Sequence, residues 1–225
     1  MKDILILGGS SDIGSKIIDL LKKDQWNITA TFNSTKKQDT SSNWKKTDIT
    51  KIKEIDSLYS SLDNLDAVIF SAMPEITTDI DDIRGFKKDV LPYLEGYIRA
   101  YTNTVQKLKQ NGKIITLSGQ SVRNGLPEAP YMAANFAFIN NLNKSLSTGK
   151  NPKNIQTCDL LLGPVNTKMW SRIDDKIKNS YFDEQSPEKY FLEPVEVAKK
   201  VIYLLEQDRM QQEILFDKGY GNTKC

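Results

Sequence analysis

The sequence predicts an α/β fold: a doubly wound parallel sheet covered by helices on both faces, in three αβα layers. Three observations predict it. Short apolar runs alternate with longer amphipathic stretches along the whole chain, the pattern of βαβ units. A glycine turn, LGGSSDIG at Leu7–Gly14, joins the first apolar run to the first amphipathic stretch. No Gly/Ser linker, repeat or low-complexity tract breaks the alternation, so residues 1–225 read as one domain.

The elements follow in order. Asp3–Leu7 (DILIL) is continuously apolar and predicts a buried strand. Ile13–Lys23 predicts a helix with Ile13, Ile17, Leu20 and Leu21 on one face. Asn27–Phe32 and Trp44–Thr47 predict the second and third strands, followed by a helix over Ile52–Leu62. Ala67–Ser71 (AVIFS) is strand-like, and Tyr97–Leu108 carries Tyr97, Ala100, Tyr101, Thr104, Val105 and Leu108 on one helical stripe. Lys113–Leu117 (KIITL) and Ile155–Leu162 are further strands, separated by a helix across Ala129–Ser147. A helix at Val195–Glu206 and a strand at Glu213–Phe216 close the pattern. Asp174–Lys189 is polar and lies where a lid or substrate loop would sit.

Composition narrows the chemistry. The 31 basic and 29 acidic residues leave a net charge of +2, which gives no electrostatic reason to expect nucleic acid or an anionic membrane as partner. Cys158 and Cys225 lie far apart, make no metal spacing, and are too few for a disulfide framework, so a reducing, cytoplasmic location is expected. No stretch approaches the ~20 apolar residues of a membrane span, and the apolar run in MKDILILGG is too short for a secretory signal. The chain has no histidine. Serine–histidine triads, histidine-ligated zinc and histidine acid–base catalysis are therefore excluded.

The glycine turn reads as a nucleotide site. Gly8 and Gly14 let the backbone approach a pyrophosphate, Ser10 and Ser11 add hydroxyl donors, and the following helix presents N–H groups and the positive end of its dipole. A tight β–α turn with a capping serine or aspartate is the plainer alternative. An NAD site usually offers an acid at the end of the second strand, to accept from the ribose 2′-hydroxyl. Here that stretch is Phe32-Asn33-Ser34-Thr35-Lys36-Lys37, with hydroxyls and lysines and no carboxylate. That favours NADP(H), with NAD(H) possible; solvated loop lysines are the plainer reading.

Taken in series, these residues resemble the short-chain dehydrogenase/reductase family, in its single-domain form with a Rossmann-like sheet, over nearly the whole chain. LGGSSDIG is similar to the family's TGxxxGxG loop, with Leu7 for the threonine and Asp12, followed by Ile13, for the middle glycine. Asp48, followed by Ile49 in TDIT, matches the acid that meets the adenine ring. Phe70-Ser71-Ala72-Met73 occupies the place of NNAG, and Gly163-Pro164-Val165-Asn166-Thr167 that of the PGxVxT loop beside the nicotinamide carboxamide. Ser118 stands 13 residues before Tyr131, the family's catalytic serine–tyrosine spacing.

In that resemblance the YxxxK lysine slot holds Asn135, and Tyr93 of Tyr93-Leu94-Glu95-Gly96 holds the slot of the asparagine in NxxG. The resemblance implies that Tyr131 delivers a proton to the substrate oxygen, that Ser118 polarises that oxygen, and that the lysine lowers the tyrosine pKa and holds the ribose. Bringing a tyrosine from ~10 to ~7 takes roughly 4 kcal/mol, which a neutral Asn135 cannot supply by charge. Three readings stay open: a reductase acting on a small carbonyl or alcohol substrate, a nucleotide-binding regulatory or partner protein, and a chain in which Ser118 and Tyr131 serve packing alone. The resemblance also implies a homodimer or homotetramer through Tyr97–Leu108 and Ala129–Ser147, and it involves no metal.

Overall fold

The computed structural model describes residues 1–24, 26–35, 41–73, 76, 78–149, 151–176, 178–179 and 191–217. Lys36, Lys37, Cys225 and most of the Asp174–Lys189 segment lie outside the described residues.

Seven parallel strands form one sheet in the order β3-β2-β1-β4-β5-β6-β7. These are β1 (Lys2–Leu7), β2 (Trp26–Phe32), β3 (Asn43–Lys46), β4 (Leu65–Phe70), β5 (Leu108–Gly119), β6 (Gln156–Leu162) and β7 (Glu213–Phe216). From β1 the chain winds outward to β3, then crosses to β4 on the other side of β1 and winds out to β7. That reversal opens a crevice at the carboxyl ends of β1 and β4, where doubly wound sheets bind ligands.

On one face α1 (Asp12–Leu21) and the last helix (Pro194–Glu206) bury Ile17, Ile18, Leu21, Val197, Ala198 and Val201 against Ile4, Ile6, Ile69 and Ile115. On the other, α2 (Ile52–Ser60), α4 (Leu91–Lys107) and α6 (Pro130–Thr148) cover Leu5, Leu7, Val68, Phe70 and Ile114. The strands are apolar on both pleats because both faces are covered.

α4 begins at Leu91, earlier than the Tyr97 start that the apolar stripe predicts, because Tyr93 continues the same stripe and Pro92 is tolerated in the first turn. Two short elements precede it: α3 (Ile83–Gly85), capped by Asp82, and a π turn at Phe86–Val90. Gly96 sits where any Cβ would run into the Ile49 carbonyl, so α4 presses directly on the loop after β3.

Half-buried lysines satisfy the carbonyls at two helix ends. Lys153 Nζ donates to the carbonyls of Val105 (3.1 Å), Gln106 (2.6 Å) and Leu108 (2.7 Å) at the end of α4. Lys113 Nζ donates to Leu205 O (2.7 Å) and to Gln207 O at the end of the last helix. Both satisfy carbonyls that a helix terminus leaves without partners.

Two further short helices were not legible as periodic runs: α5 (Ser121–Asn124) and α7 (Lys168–Arg172), the second capped by Thr167. The last helix, Pro194–Glu206, is α8; it starts on a capping box between Glu193 and Glu196.

Candidate active site

The carboxyl ends of β1, β4, β5 and β6 frame a cleft of about 460 Å³, within the ~300–1,000 Å³ of small-molecule sites. Ser10, Ser11, Asp12 and Ile13 form one end, with Ser34 and Thr35 beside them and Ser71 and Met73 behind. Leu117–Gly119 and Gly163–Val165 form the floor. α7 supplies Lys168, Met169, Trp170 and Arg172, and Ile173 follows it.

The glycine turn is built by close packing. Gly8 has φ +82°, and a Cβ there would lie 2.6 Å from Ala72 N. A Cβ on Gly14 would overlap the Gly8 carbonyl. Ser11 Oγ accepts from Gly14 N at 2.9 Å and so caps α1, and it lies 3.1 Å from Ser71 Oγ. Gly8 N donates to Thr31 Oγ1 at 2.9 Å, which ties the turn to β2.

These features fit a dinucleotide: a close backbone turn, serine hydroxyls, and a helix N-terminus facing one cleft. Asp12 is the departure, an acid in the first turn of α1. Its Oδ2 accepts from Lys168 N at 2.7 Å and joins the glycine turn to α7. Gly8, Gly14 and Ala72 shape the turn from beneath. Asp48 folds onto its own loop, accepting from Thr50 N (2.9 Å) and Thr50 Oγ1 (2.8 Å), while its own N–H donates to Glu54. Asn33 is exposed beside the cleft, and Ile49 packs under α4. Gly163, Pro164, Val165 and Thr167 line the cleft.

The structure places the expected catalytic residues as follows. Ser118 reaches the cleft, but its hydroxyl donates to buried Asp159 at 2.9 Å. The Tyr131 hydroxyl donates to the Ile80 carbonyl at 2.9 Å, and its ring packs on Phe86 at 5.1 Å. Tyr131 and Asn135 are not among the residues lining the cleft; α6 presents Met132 and Phe136 there instead. Asn135 is 2% exposed, with Nδ2 lacking a hydrogen-bond partner among the described residues. Tyr93 is fully buried in the α4 core, its hydroxyl directed at Met73 Sδ (3.7 Å), and burial pushes its phenol pKa well up. The expected tetrad is therefore not assembled.

One spacing in the sequence fits the residues that line the cleft. Gly119 and Met132 also stand 13 residues apart, and Phe136 follows Met132 by four, so the same spacing fits one position further on. The structure bears on that register: a Cβ on Gly119 would press 2.7 Å from Phe136 Cε2.

Behind Ser118 lies a buried polar network. Asp159 Oδ1 accepts from Thr116 (2.7 Å) and Ser118 (2.9 Å), and Oδ2 from Asn140 Nδ2 (2.9 Å). Asn143 joins Thr116 (2.7 Å) to Tyr101 (2.8 Å). Burial raises Asp159 to about 6, against hydrogen bonds from Thr116, Asn140 and Ser118 that favour its charge. Asn140 also donates to Glu213, whose partial burial is outweighed by hydrogen bonds from Lys144, Arg123 and Asn140 that hold it at about 2. Arg123 is thus paired with Glu213 at 2.6 Å.

Comparison with known proteins now decides the family. A family model described as enoyl-(acyl carrier protein) reductase, of the short-chain dehydrogenase type, matches residues 10–220. The chain belongs to the short-chain dehydrogenase/reductase family.

Its fold is shared with solved structures. A short-chain dehydrogenase family protein from Francisella tularensis subsp. tularensis SCHU S4 is 22% identical, with 98% of each chain covered and a TM-score of 0.85. BdcA in complex with NADPH is 18% identical over 98% of this chain and 94% of that one, with a TM-score of 0.80. A small-chain dehydrogenase in complex with NADPH is 21% identical over 97% of each chain, with a TM-score of 0.76. No curated protein matches the chain. Family and fold imply NAD(P)-dependent oxidoreductase activity. Among the described residues, no helix is long and apolar enough to cross a membrane, and no group of three or more His, Cys, Asp or Glu side chains could hold a metal.

Proposed function

We propose that this chain is an NADP(H)-dependent oxidoreductase that moves hydride between the dinucleotide and a small carbonyl or alcohol substrate. The observation that carries the reading is one cleft holding both the serine-rich glycine turn at the α1 N-terminus and the Gly163–Thr167 loop. The bound dinucleotide would supply a hydride. The chain's residues hold and enclose it. Ser10, Ser11 and the first amides of α1 hold the diphosphate end, Ser34 and Thr35 flank the adenosine ribose, and Gly163–Thr167 orients the carboxamide. α7 and Ile173 cover the reacting end and exclude water.

NADP(H) is favoured because β2 ends in hydroxyls without a carboxylate, with Lys36 and Lys37 next in sequence. Two of the similar structures hold NADPH. Titrating NADPH and NADH by nicotinamide fluorescence tests this: NADPH should bind more tightly, and equal or tighter NADH binding contradicts the preference. A homodimer through α4 and α6 is supported by Leu91 and Ile98 on α4 and Phe138 on α6, all large apolar side chains left exposed. Light scattering at micromolar concentration should give at least twice the 25.5 kDa chain mass; a monomer contradicts it.

A further inference from the structure

At the reacting end of the cleft, the two hydroxyls expected to act on a substrate oxygen are engaged elsewhere. Ser118 donates to Asp159 and Tyr131 to the Ile80 carbonyl. Ser121, Thr167, Lys168 and Arg172 also line the cleft, but the α6 wall it presents is apolar and polarizable. Met132 and Phe136, each 8% exposed, share one apolar cluster with Ile173, and Met73 and Trp170 pack against it. Gly119 lets the Phe136 ring lie close to the end of β5, where a Cβ would press 2.7 Å from its Cε2 and force it to shift.

Such a wall holds a flat conjugated ring by stacking and sulfur–aromatic contact, and offers little to an isolated polar oxygen. The chemistry points the same way. Hydride addition to an isolated ketone leaves an alkoxide, whose conjugate acid is about as weak as water (pKa about 15.7), so a positioned acid is needed. Hydride addition to a quinone leaves a phenol-type oxyanion, with a pKa near ~10, which water can protonate.

Resting on the reading that a nicotinamide dinucleotide occupies this cleft, we propose that the substrate is a planar conjugated carbonyl of the quinone class, stacked on Met132, Phe136 and Trp170. The step balances: the quinone gains a hydride from the reduced dinucleotide and a proton from water, giving hydroquinone and the oxidised dinucleotide.

The test uses the full chain in two arms. Calorimetric titration with a water-soluble naphthoquinone should show saturable binding, weakened about 10-fold in Phe136→Leu, which keeps an apolar side chain and removes the ring. NADPH oxidation, corrected for the protein-free rate, should be at least about 100-fold faster with the naphthoquinone than with an aliphatic ketone of similar size. Equal or faster ketone reduction overturns the proposal, as does undetectable quinone binding or quinone affinity unchanged in Phe136→Leu. If NADPH itself fails to bind in a parallel fluorescence titration, the dinucleotide reading falls and the proposal with it. If NADPH binds and the quinone arms fail, only the substrate class falls.

Discussion

The Ser118 hydroxyl donates to Asp159 Oδ1 at 2.9 Å, and this bond fixes which way the end of β5 faces. Thr116, two residues earlier on the same pleat, donates to the same oxygen at 2.7 Å. The buried carboxylate therefore holds both β5 hydroxyls, and the next residue, Gly119, stands at the cleft close to Phe136.

The Asp159 network predicts an unusual pH dependence. Its folded pKa of about 6 lies above the ordinary 3.8, so the folded state holds the proton more tightly than the unfolded state. Stability contributed by Asp159 should fall as pH rises from about 4 through 6, by up to roughly 3 kcal/mol over the whole window at 1.36 kcal/mol per pKa unit. Glu213, with a folded pKa of about 2, stabilises above its ordinary 4.5 and loses that contribution only as pH falls toward 2. The chain has no histidine to titrate in the same window. Urea unfolding at several pH values measures this, and Asp159→Asn should flatten the slope over that window. A wild-type slope of opposite sign contradicts it.

Tyr131 should be dispensable for chemistry. Tyr131→Phe removes one hydrogen bond to the Ile80 carbonyl and should cost about 1 kcal/mol of stability. The rate of NADPH oxidation with any acceptor that the wild type reduces should stay within about threefold. Loss of a true proton donor would instead cost ~10²–10⁴ in rate.

The strands, the glycine turn and the Gly163–Thr167 loop were legible because each is fixed by local pattern: apolar runs, glycines that a side chain would block, and order along the chain. The α6 wall of the cleft was not. One residue of shift turns a strand side chain to the other pleat and rotates a helix position by about 100°. Ser118 with Tyr131 and Gly119 with Met132 have identical spacing, and spacing alone cannot choose between them. The Ser118 hydroxyl is held by Asp159, 41 residues further on, a tertiary contact that no local pattern announces. α7 was missed for a related reason: with five residues it has no periodicity to read, and Asp12 holds its start from across the cleft.

Lys153 should prove a structural residue. Lys153→Met keeps most of the side-chain volume but leaves the Val105, Gln106 and Leu108 carbonyls without their charged donor. A loss of about 2 kcal/mol in denaturant unfolding is expected, typical of hydrogen bonds to a charged group. A loss below ~0.5 kcal/mol would show that water replaces the cap.

Gly8→Ala should strike fold and binding together. The residue has φ +82°, and its new methyl would meet Ala72 N and Ser71 C within 2.7 Å. Backbone strain and overlap together should cost about 3 kcal/mol, a fall in Tm of roughly 10 °C for a chain of this size. NADPH affinity should drop at least about 10-fold at temperatures where circular dichroism shows the variant folded.

The most direct test of the account is a crystal structure of the full chain grown with NADPH. The diphosphate is expected against Ser10, Ser11 and the α1 N-terminus, with the nicotinamide ring beside Gly163–Thr167 and facing Met132 and Phe136. A dinucleotide bound outside this cleft, or one whose nicotinamide lies against Tyr131 and Asn135 instead, would contradict it.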